Sequence, residues 1–261
     1  MEQLPALIKG TIGRNLVVLR TVVSTNTFAM ELGGTGAPHG TVVIAESQTK
    51  GKGRLGRTWA SLSGTNIYMS LILRPGITSG NATFLTMAAS IACARALREG
   101  TALPITIKWP NDLMIGNKKV GGILTEIKSA GERIIFAVIG IGINANADGD
   151  AFPPELRDTA TSLKIEASRE QQKDVLVAGI LNEMACWYDA LMGDERKVML
   201  DEWRRLSSTL GKTVRVTTGA EVLTGTAEDI DEHGMLLLKV RTGEIRTIHT
   251  GDLTILQQNG K

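Results

Sequence analysis

The chain has 261 residues, 43% hydrophobic and 21% charged, with 29 Lys and Arg against 27 Asp and Glu for a net charge of +2. This composition excludes a disordered or low-complexity chain, and the near-neutral balance excludes a general electrostatic pull toward nucleic acid or membrane, so any cationic function must be local. At this length one large domain plus a small one is expected, because single cores stop growing at ~250–300 residues. The N-terminal Met1-Glu2-Gln3-Leu4-Pro5 lacks the basic and apolar regions of a signal peptide. The sequence pattern predicts no apolar run of the ~18 residues a membrane span needs, and a cytoplasmic location is expected. Cys93 and Cys186 stand far apart, with no C-x-x-C and no histidine cluster, and read as buried free thiols.

In chain order, a first strand is expected around residues 16–19, and strands rich in β-branched residues over 41–45 and 66–73, with a glycine-rich segment between the latter two. Residues 84–99 carry helical periodicity, with Gly100 placed to end the helix. A short strand follows over 104–109, then a hairpin of 113–115 and 120–127 joined through Gly116-Asn117. Residues 133–144 read as a strand in which Gly140 and Gly142 permit close approach of another backbone or a ligand. Ser168-x-x-Gln171 has the form of a capping box opening a helix to about Leu191. From Thr213 onward, short alternating strands with turns at Thr218-Gly219, His233-Gly234 and Thr242-Gly243 point to a small β-barrel beginning near Gly211.

Gly51-Lys52-Gly53-Arg54-Leu55-Gly56 fits the dinucleotide pattern G-x-G-x-x-G, but its context does not. Such a loop must open a helix and be followed ~20 residues on by an acid; here a strand pattern follows, and Leu71-Ile72-Leu73-Arg74 stands where the acid belongs. Gly211-Lys212-Thr213 is no P-loop either, since Leu206 occupies the position of its first glycine. What remains is a loop carrying Lys50, Lys52, Arg54 and Arg57 among three glycines. Exposed backbone N–H groups and cations of this kind hold anions, charge-assisted hydrogen bonds contributing ~1.5–3 kcal/mol each.

Lys108-Trp109-Pro110-Asn111-Asp112 follows, then Lys119-x-x-Gly122-x-Leu124, then Gly140-x-Gly142-Ile143-Asn144; Ser24-Thr25-Asn26 and Glu46-x-Gln48 precede the loop. Six ordered motifs at these spacings, spread over nearly the whole chain, resemble the biotin protein ligases. The resemblance implies an α+β fold: a mixed β-sheet catalytic domain, class II aminoacyl-tRNA-synthetase-like and of the biotin/lipoate ligase type, over residues 1–210, with a C-terminal SH3-like β-barrel over 211–261. It implies that biotin and ATP, brought as its Mg²⁺ complex, condense to biotinyl-5'-AMP, and that a lysine of a biotin carboxyl carrier protein or domain then attacks the anhydride. No prosthetic group is implied.

By the same resemblance, Ser24, Thr25, Asn26 and Gln48 border the biotin pocket, where hydroxyls and amides suit a ureido ring; Ser24 and Thr25 also suit a helix N-terminus. Lys52, Gly53, Arg54, Lys119 and Gly122 complete the biotin side. Arg54, Arg57, Trp59, Asn111, Lys119 and Asn144 form the nucleotide side, Trp59 and Asn144 near adenine, with Trp109 and Pro110 fixing the turn. Arg54, Lys119 and Asp112 are the catalytic candidates; Asp112 serves either Mg²⁺ or the incoming amine.

Two departures stand out. Lys52 replaces the usual first arginine of the loop, and a lysine lacks the bidentate fork; Val23 replaces an aspartate that often precedes Ser-Thr-Asn. The short segment before residue 16 leaves no room for the DNA-binding winged helix of many bacterial members, so a monofunctional enzyme without DNA or membrane partners is expected, with homodimerisation left open. Two other readings are weaker. A lipoate or octanoate ligase does not need the polar Ser24-Thr25-Asn26/Gln48 set, and a biotin-sensing protein without turnover does not need Arg54, Lys119 and Asp112 together.

Overall fold

The structure, a computed structural model, describes residues 3–219 and 221–256. In chain order it comprises α1 (Leu4–Leu7), β1 (Leu16–Val22), α2 (Thr25–Gly34), β2 (Thr41–Gln48), β3 (Ile67–Leu73), α3 (Thr83–Thr101), β4 (Ile105–Lys108), β5 (Asp112–Ile115), β6 (Lys118–Ala130) and β7 (Arg133–Ile143). There follow α4 (Leu163–Ala167), α5 (Lys173–Met192), α6 (Arg196–Leu206), β8 (Thr213–Thr217), β9 (Val222–Ile230), β10 (Leu236–Val240), β11 (Ile245–Ile248) and β12 (Asp252–Ile255).

The first seven strands form one sheet in the order β1-β2-β3-β7-β6-β5-β4. Only β1 and β2 run parallel; every other pair is antiparallel, so the sheet is mixed. Strand alternation sends Ile139, Ile141 and Ile143 of β7 and Met69 and Leu71 of β3 to one face, into a core shared with α3 and α5. The other face is divided. At one end α2 lies over Val43, Ile72, Phe136 and Val138. Further along, the outward positions of β3, β6 and β7 shrink to Ser70, Gly122, Gly140 and Gly142; the first turn of α2 meets Ser70 and Gly140, and Gly122 and Gly142 lie under Trp59 instead. A sheet face with its bulk removed is a ready floor for a ligand.

The last five strands form an antiparallel sheet in the order β11-β10-β9-β8-β12. Val214, Val216, Leu236 and Leu253 continue the main core. Polar ties reinforce the junction: Arg204 Nε donates to Asp229 Oδ1 at 2.7 Å and Arg204 Nη2 to the Ile230 carbonyl at 2.9 Å.

Several local expectations change. The helix expected to end at Gly100 runs one residue further and closes on Ala102, which adopts φ +61°. Ser168 does not open α5; it ends α4 in the left-handed region, and Gln172 precedes α5. The same short polar residues that cap a helix start also tolerate αL at a helix end. Helices α2, α4 and α6 were not read from the pattern. Cys93 is buried as expected, but Cys186 is exposed, its place on α5 facing outward. By length and composition α5 meets the minimum for a membrane span, contrary to the sequence reading. Its apolar side, including Leu176, Ile180, Leu181 and Met184, lies in the core against α3.

Candidate active site

Above the bare half of the sheet lies a cavity of about 670 Å³, within the size range of small-molecule sites. Its floor is Gly122, Gly140 and Gly142. A Cβ on Gly142 would stand 2.7 Å from the Trp59 ring, one on Gly122 3.2 Å from it, and one on Gly140 would collide with Asn26. These positions therefore exclude side chains because other groups already pack there.

The inner wall is the start of α2. Ser24 occupies the N-cap with extended backbone, its carbonyl accepting from Phe28 N, while its side chain makes no capping bond. Thr25 donates from N and Oγ1 to Gln48 Oε1 at 2.8 and 3.1 Å. Ser70 Oγ lies 2.8 Å from Thr25 Oγ1 and 2.7 Å from Asn26 Oδ1. Asn26 Nδ2 donates to Glu126 Oε2 at 2.8 Å, and Gln48 Nε2 to Ser61 Oγ at 3.0 Å. Ser24, Thr25, Asn26 and Ser70 are all nearly or wholly buried, so this network, neutral except where Asn26 meets the Glu126 carboxylate, is rigid and its hydrogen bonds are well shielded.

The cationic loop folds on itself as a small hairpin. Lys52 bridges Thr58, Gly53 N donates to the Arg57 carbonyl at 2.7 Å, and a turn at Arg54–Gly56 passes through positive φ at Leu55 and Gly56. The dinucleotide-type helix is absent, as its context foretold. Lys52 Nζ pairs with Glu126 Oε1 at 3.5 Å. Arg54 Nη1 donates to Asn111 Oδ1 at 3.1 Å and Arg54 Nη2 to Thr250 Oγ1 at 3.1 Å. Burial lowers the Arg54 pKa. Arg57 grips Asp252 with both terminal nitrogens, at 3.1 and 2.7 Å, which raises the arginine's pKa and holds the Asp252 carboxyl below its ordinary value. The C-terminal sheet thus reaches the loop through the turn between β11 and β12.

The opposite rim carries Asp112, at the start of β5. Its Oδ1 is 2.5 Å from Lys119 Nζ and its Oδ2 3.2 Å from Lys108 Nζ. Lys119 also lies over the Trp59 ring, 5.4 Å from its centroid, and its backbone is fixed by bonds to Thr159 and Thr161. Asn111 accepts from Arg54, donates from Nδ2 to the Ile123 carbonyl at 2.5 Å and accepts from Ile123 N on its backbone carbonyl at 3.0 Å. Asn144, also on the cavity wall, spends its amide donor on the Thr161 carbonyl at 3.1 Å. Trp59 Nε1 is buried without a hydrogen-bond partner. Among the described residues no three His, Cys, Asp or Glu side chains cluster as a metal site. A metal at Asp112 would share its carboxylate with two lysines, one on each oxygen.

The site residues implied by the resemblance line this one cavity: Ser24, Thr25, Asn26, Gln48, Lys52, Gly53, Arg54, Arg57, Trp59, Asn111, Asp112, Lys119, Gly122 and Asn144; Lys50, the fourth cation of the loop, is exposed and not among its lining residues. Sequence reasoning missed Ser70, Glu126, Lys108, Thr250 and Asp252. Ser70 left a signal, being the one non-aromatic polar residue in the apolar strand Ile-Tyr-Met-Ser-Leu-Ile-Leu.

Comparison with known proteins agrees with this geometry. Residues 18–144 match the biotin/lipoate A/B protein ligase family and residues 209–253 the biotin protein ligase C-terminal domain. The chain is 36% identical over 243 residues to the bifunctional ligase/repressor BirA of Bacillus spizizenii, covering 93% of this chain and 74% of that protein. It is 31% identical over 254 residues to the biotin–[acetyl-CoA-carboxylase] ligase of Mycobacterium tuberculosis, covering 94% and 90%. In three dimensions it resembles the biotin protein ligase of Aquifex aeolicus solved with biotin and ATP, with a TM-score of 0.81 and 28% identity over 94% of this chain and all of that one. With its ordered motifs gathered around one glycine-floored cavity and these matches extending over more than nine-tenths of its length, the chain belongs to the biotin protein ligase family.

Proposed function

We propose that the protein is a biotin–[acetyl-CoA-carboxylase] ligase, which activates biotin with ATP to biotinyl-5'-AMP and passes the biotinyl group to a lysine of a carboxylase carrier domain. The observation that carries this reading is one cavity with two chemically different ends, a neutral hydrogen-bonding wall and a cluster of cations.

The geometry supports the following roles within this reading. Biotin lies over Gly122, Gly140 and Gly142, with its ureido ring against Ser24, Thr25, Asn26 and Gln48, whose network offers both donors and acceptors. Its carboxylate extends toward Lys52, Gly53, Arg54 and Lys119. Attack of a carboxylate oxygen on the α-phosphorus breaks the bond to the bridging α–β oxygen, and pyrophosphate departs with the electron pair. Arg54 and Lys119 stabilise the charge on the α-phosphoryl oxygens. Trp59 supplies a stacking surface for adenine, while Asn144 holds the wall behind it through Asn66 and Thr161. Arg57 and Asn111 keep the loop shaped.

Mg²⁺ arrives with ATP and neutralises phosphate charge. Asp112 is the carboxylate that would face it, but both its oxygens are engaged by lysines. We therefore assign Asp112 chiefly to ordering those lysines, and after adenylation to receiving the acceptor ammonium. The same reading divides the chain into a catalytic unit to residue 210 and a C-terminal unit from 211, and places the enzyme in the cytoplasm with a biotin carboxyl carrier protein as its partner.

Incubation with biotin, MgATP and a biotin carboxyl carrier domain, followed by intact-mass analysis, tests the assignment. The carrier should gain the mass of one biotinyl group on its lysine; an unchanged mass would overturn it.

A further inference from the structure

Lys108 has no part in the roles above, yet it is the second ammonium on the Asp112 carboxylate. Its side chain is only 20% exposed and lines the same cavity as Arg54, Arg57 and Lys119. Asp112 spaces the two lysines. Lys119 lies on the side of Trp59 and Gly122. Lys108 lies toward the C-terminal sheet, where its charge, after the larger effect of Arg57, acts on Asp252. Five cations thus line one cavity, Lys52, Arg54, Arg57, Lys108 and Lys119, against the carboxylates of Asp112, Asp158 and Asp252. A biotin carboxylate and one α-phosphate engage Lys52, Arg54 and Lys119, and Arg57 is held by Asp252, which leaves Lys108 as a charge that those two anions do not require. ATP brings that additional anion in its β- and γ-phosphates.

We propose that Lys108 is a catalytic residue that binds the β- and γ-phosphates of ATP and stabilises pyrophosphate as it leaves. The assignment rests on the ligase reading and deepens it. As the bond between the α-phosphorus and the bridging oxygen breaks, the electron pair stays on that oxygen and negative charge grows on the departing group. An ammonium already held near that position by Asp112 needs little reorganisation to meet it. Phosphate oxygens compete with the Asp112 oxygen for Lys108, and the exchange leaves no charge unpaired.

The two half-reactions separate this role from a merely structural one. Lys119 faces the α-phosphate in both, whereas β- and γ-phosphates exist only in the first. Lys108→Met should lower kcat for biotin-dependent pyrophosphate release about a hundredfold and weaken product inhibition by inorganic pyrophosphate. Transfer from purified biotinyl-5'-AMP to the carrier domain should stay close to the wild-type rate, and Lys108→Arg should recover most of the first half-reaction. Equal losses in both half-reactions would show that Lys108 acts only by positioning Asp112 and Lys119, overturning the proposal. Unimpaired pyrophosphate release would overturn it as well. Wild-type protein run in parallel keeps the ligase reading separate: if wild type forms no adenylate, that reading fails and this one with it.

Discussion

At the inner end of the cavity Thr25, Asn26, Gln48 and Ser70 satisfy one another through neutral hydrogen bonds on buried atoms of the catalytic sheet and α2. At the outer end, Arg54, Arg57, Lys108 and Lys119 are partly exposed, and their partners come from strands of two different sheets. Under the proposed function, the inner end would recognise by shape and unpaired-group penalties, which require rigidity, and the outer end by charge, which tolerates exposure and exchange of partners. This difference suits a reaction in which one substrate end stays fixed while phosphates arrive and leave.

Substitutions at the two ends should separate along these lines. The largest effect is expected at Lys119, where Lys119→Met should slow adenylate formation by about 10²–10³-fold with little change in biotin affinity, measured by pyrophosphate release and calorimetry. A larger effect on biotin affinity than on rate would erase the contrast between the ends. Next, Arg54→Gly removes the bonds to Asn111 and Thr250 that hold the loop. It should release biotinyl-5'-AMP about tenfold faster, a loss of ~1.4 kcal/mol, and label lysines of bystander proteins; adenylate release at the wild-type rate would show that Arg54 is no clamp.

Ser70→Ala tests the inner end. It removes the one hydroxyl that buried Asn26 Oδ1 and Thr25 Oγ1 share as a partner, and an unsatisfied buried group costs ~1–3 kcal/mol. Biotin Kd should rise about tenfold while KM for ATP holds. The smallest effect belongs to Asp252, whose pair with Arg57 is largely exposed and so contributes at most ~1 kcal/mol. Arg57 depresses the Asp252 carboxyl in the folded state, so its stabilisation is complete above the ordinary aspartate pKa. It is lost as pH falls through the lower folded value. Asp252→Asn should therefore lower the melting temperature slightly at neutral pH and converge on wild type in acid; a constant offset at every pH would show that the ion pair is not the cause.

Much of the site was legible because it is written in local runs. Gly140 and Gly142 signal close approach by lacking side chains, and the Lys108–Asp112 run announces itself by spacing. Ser70 was legible only in retrospect, as a hydroxyl in an apolar strand whose face cannot be told from sequence until its neighbours are known. Glu126 follows Gly122 and Leu124 in the alternation of β6, but nothing in the pattern says that Asn26 and Lys52 wait opposite. Helix α2 escaped because its short run was read for the chemistry of Ser24-Thr25-Asn26 rather than for its continuation to Gly34. Cys186 was misplaced because helical periodicity within an apolar helix does not by itself say which side faces solvent.

The sequence by itself determined the family, the order of the motifs, the glycine floor and the identity of the principal cations, since these depend on backbone freedom and residue chemistry within a few positions of one another. Only the tertiary structure decided what each cation holds. Arg54 reaches Thr250 and Arg57 reaches Asp252 across separations of 196 and 195 residues, and Asp112 faces two lysines at once because β4, β5 and β6 lie side by side. The two arginine pairings are set by how the sheets dock, an outcome of burying their shared core that no local spacing encodes; the two lysines at Asp112 are set by strand register within one sheet.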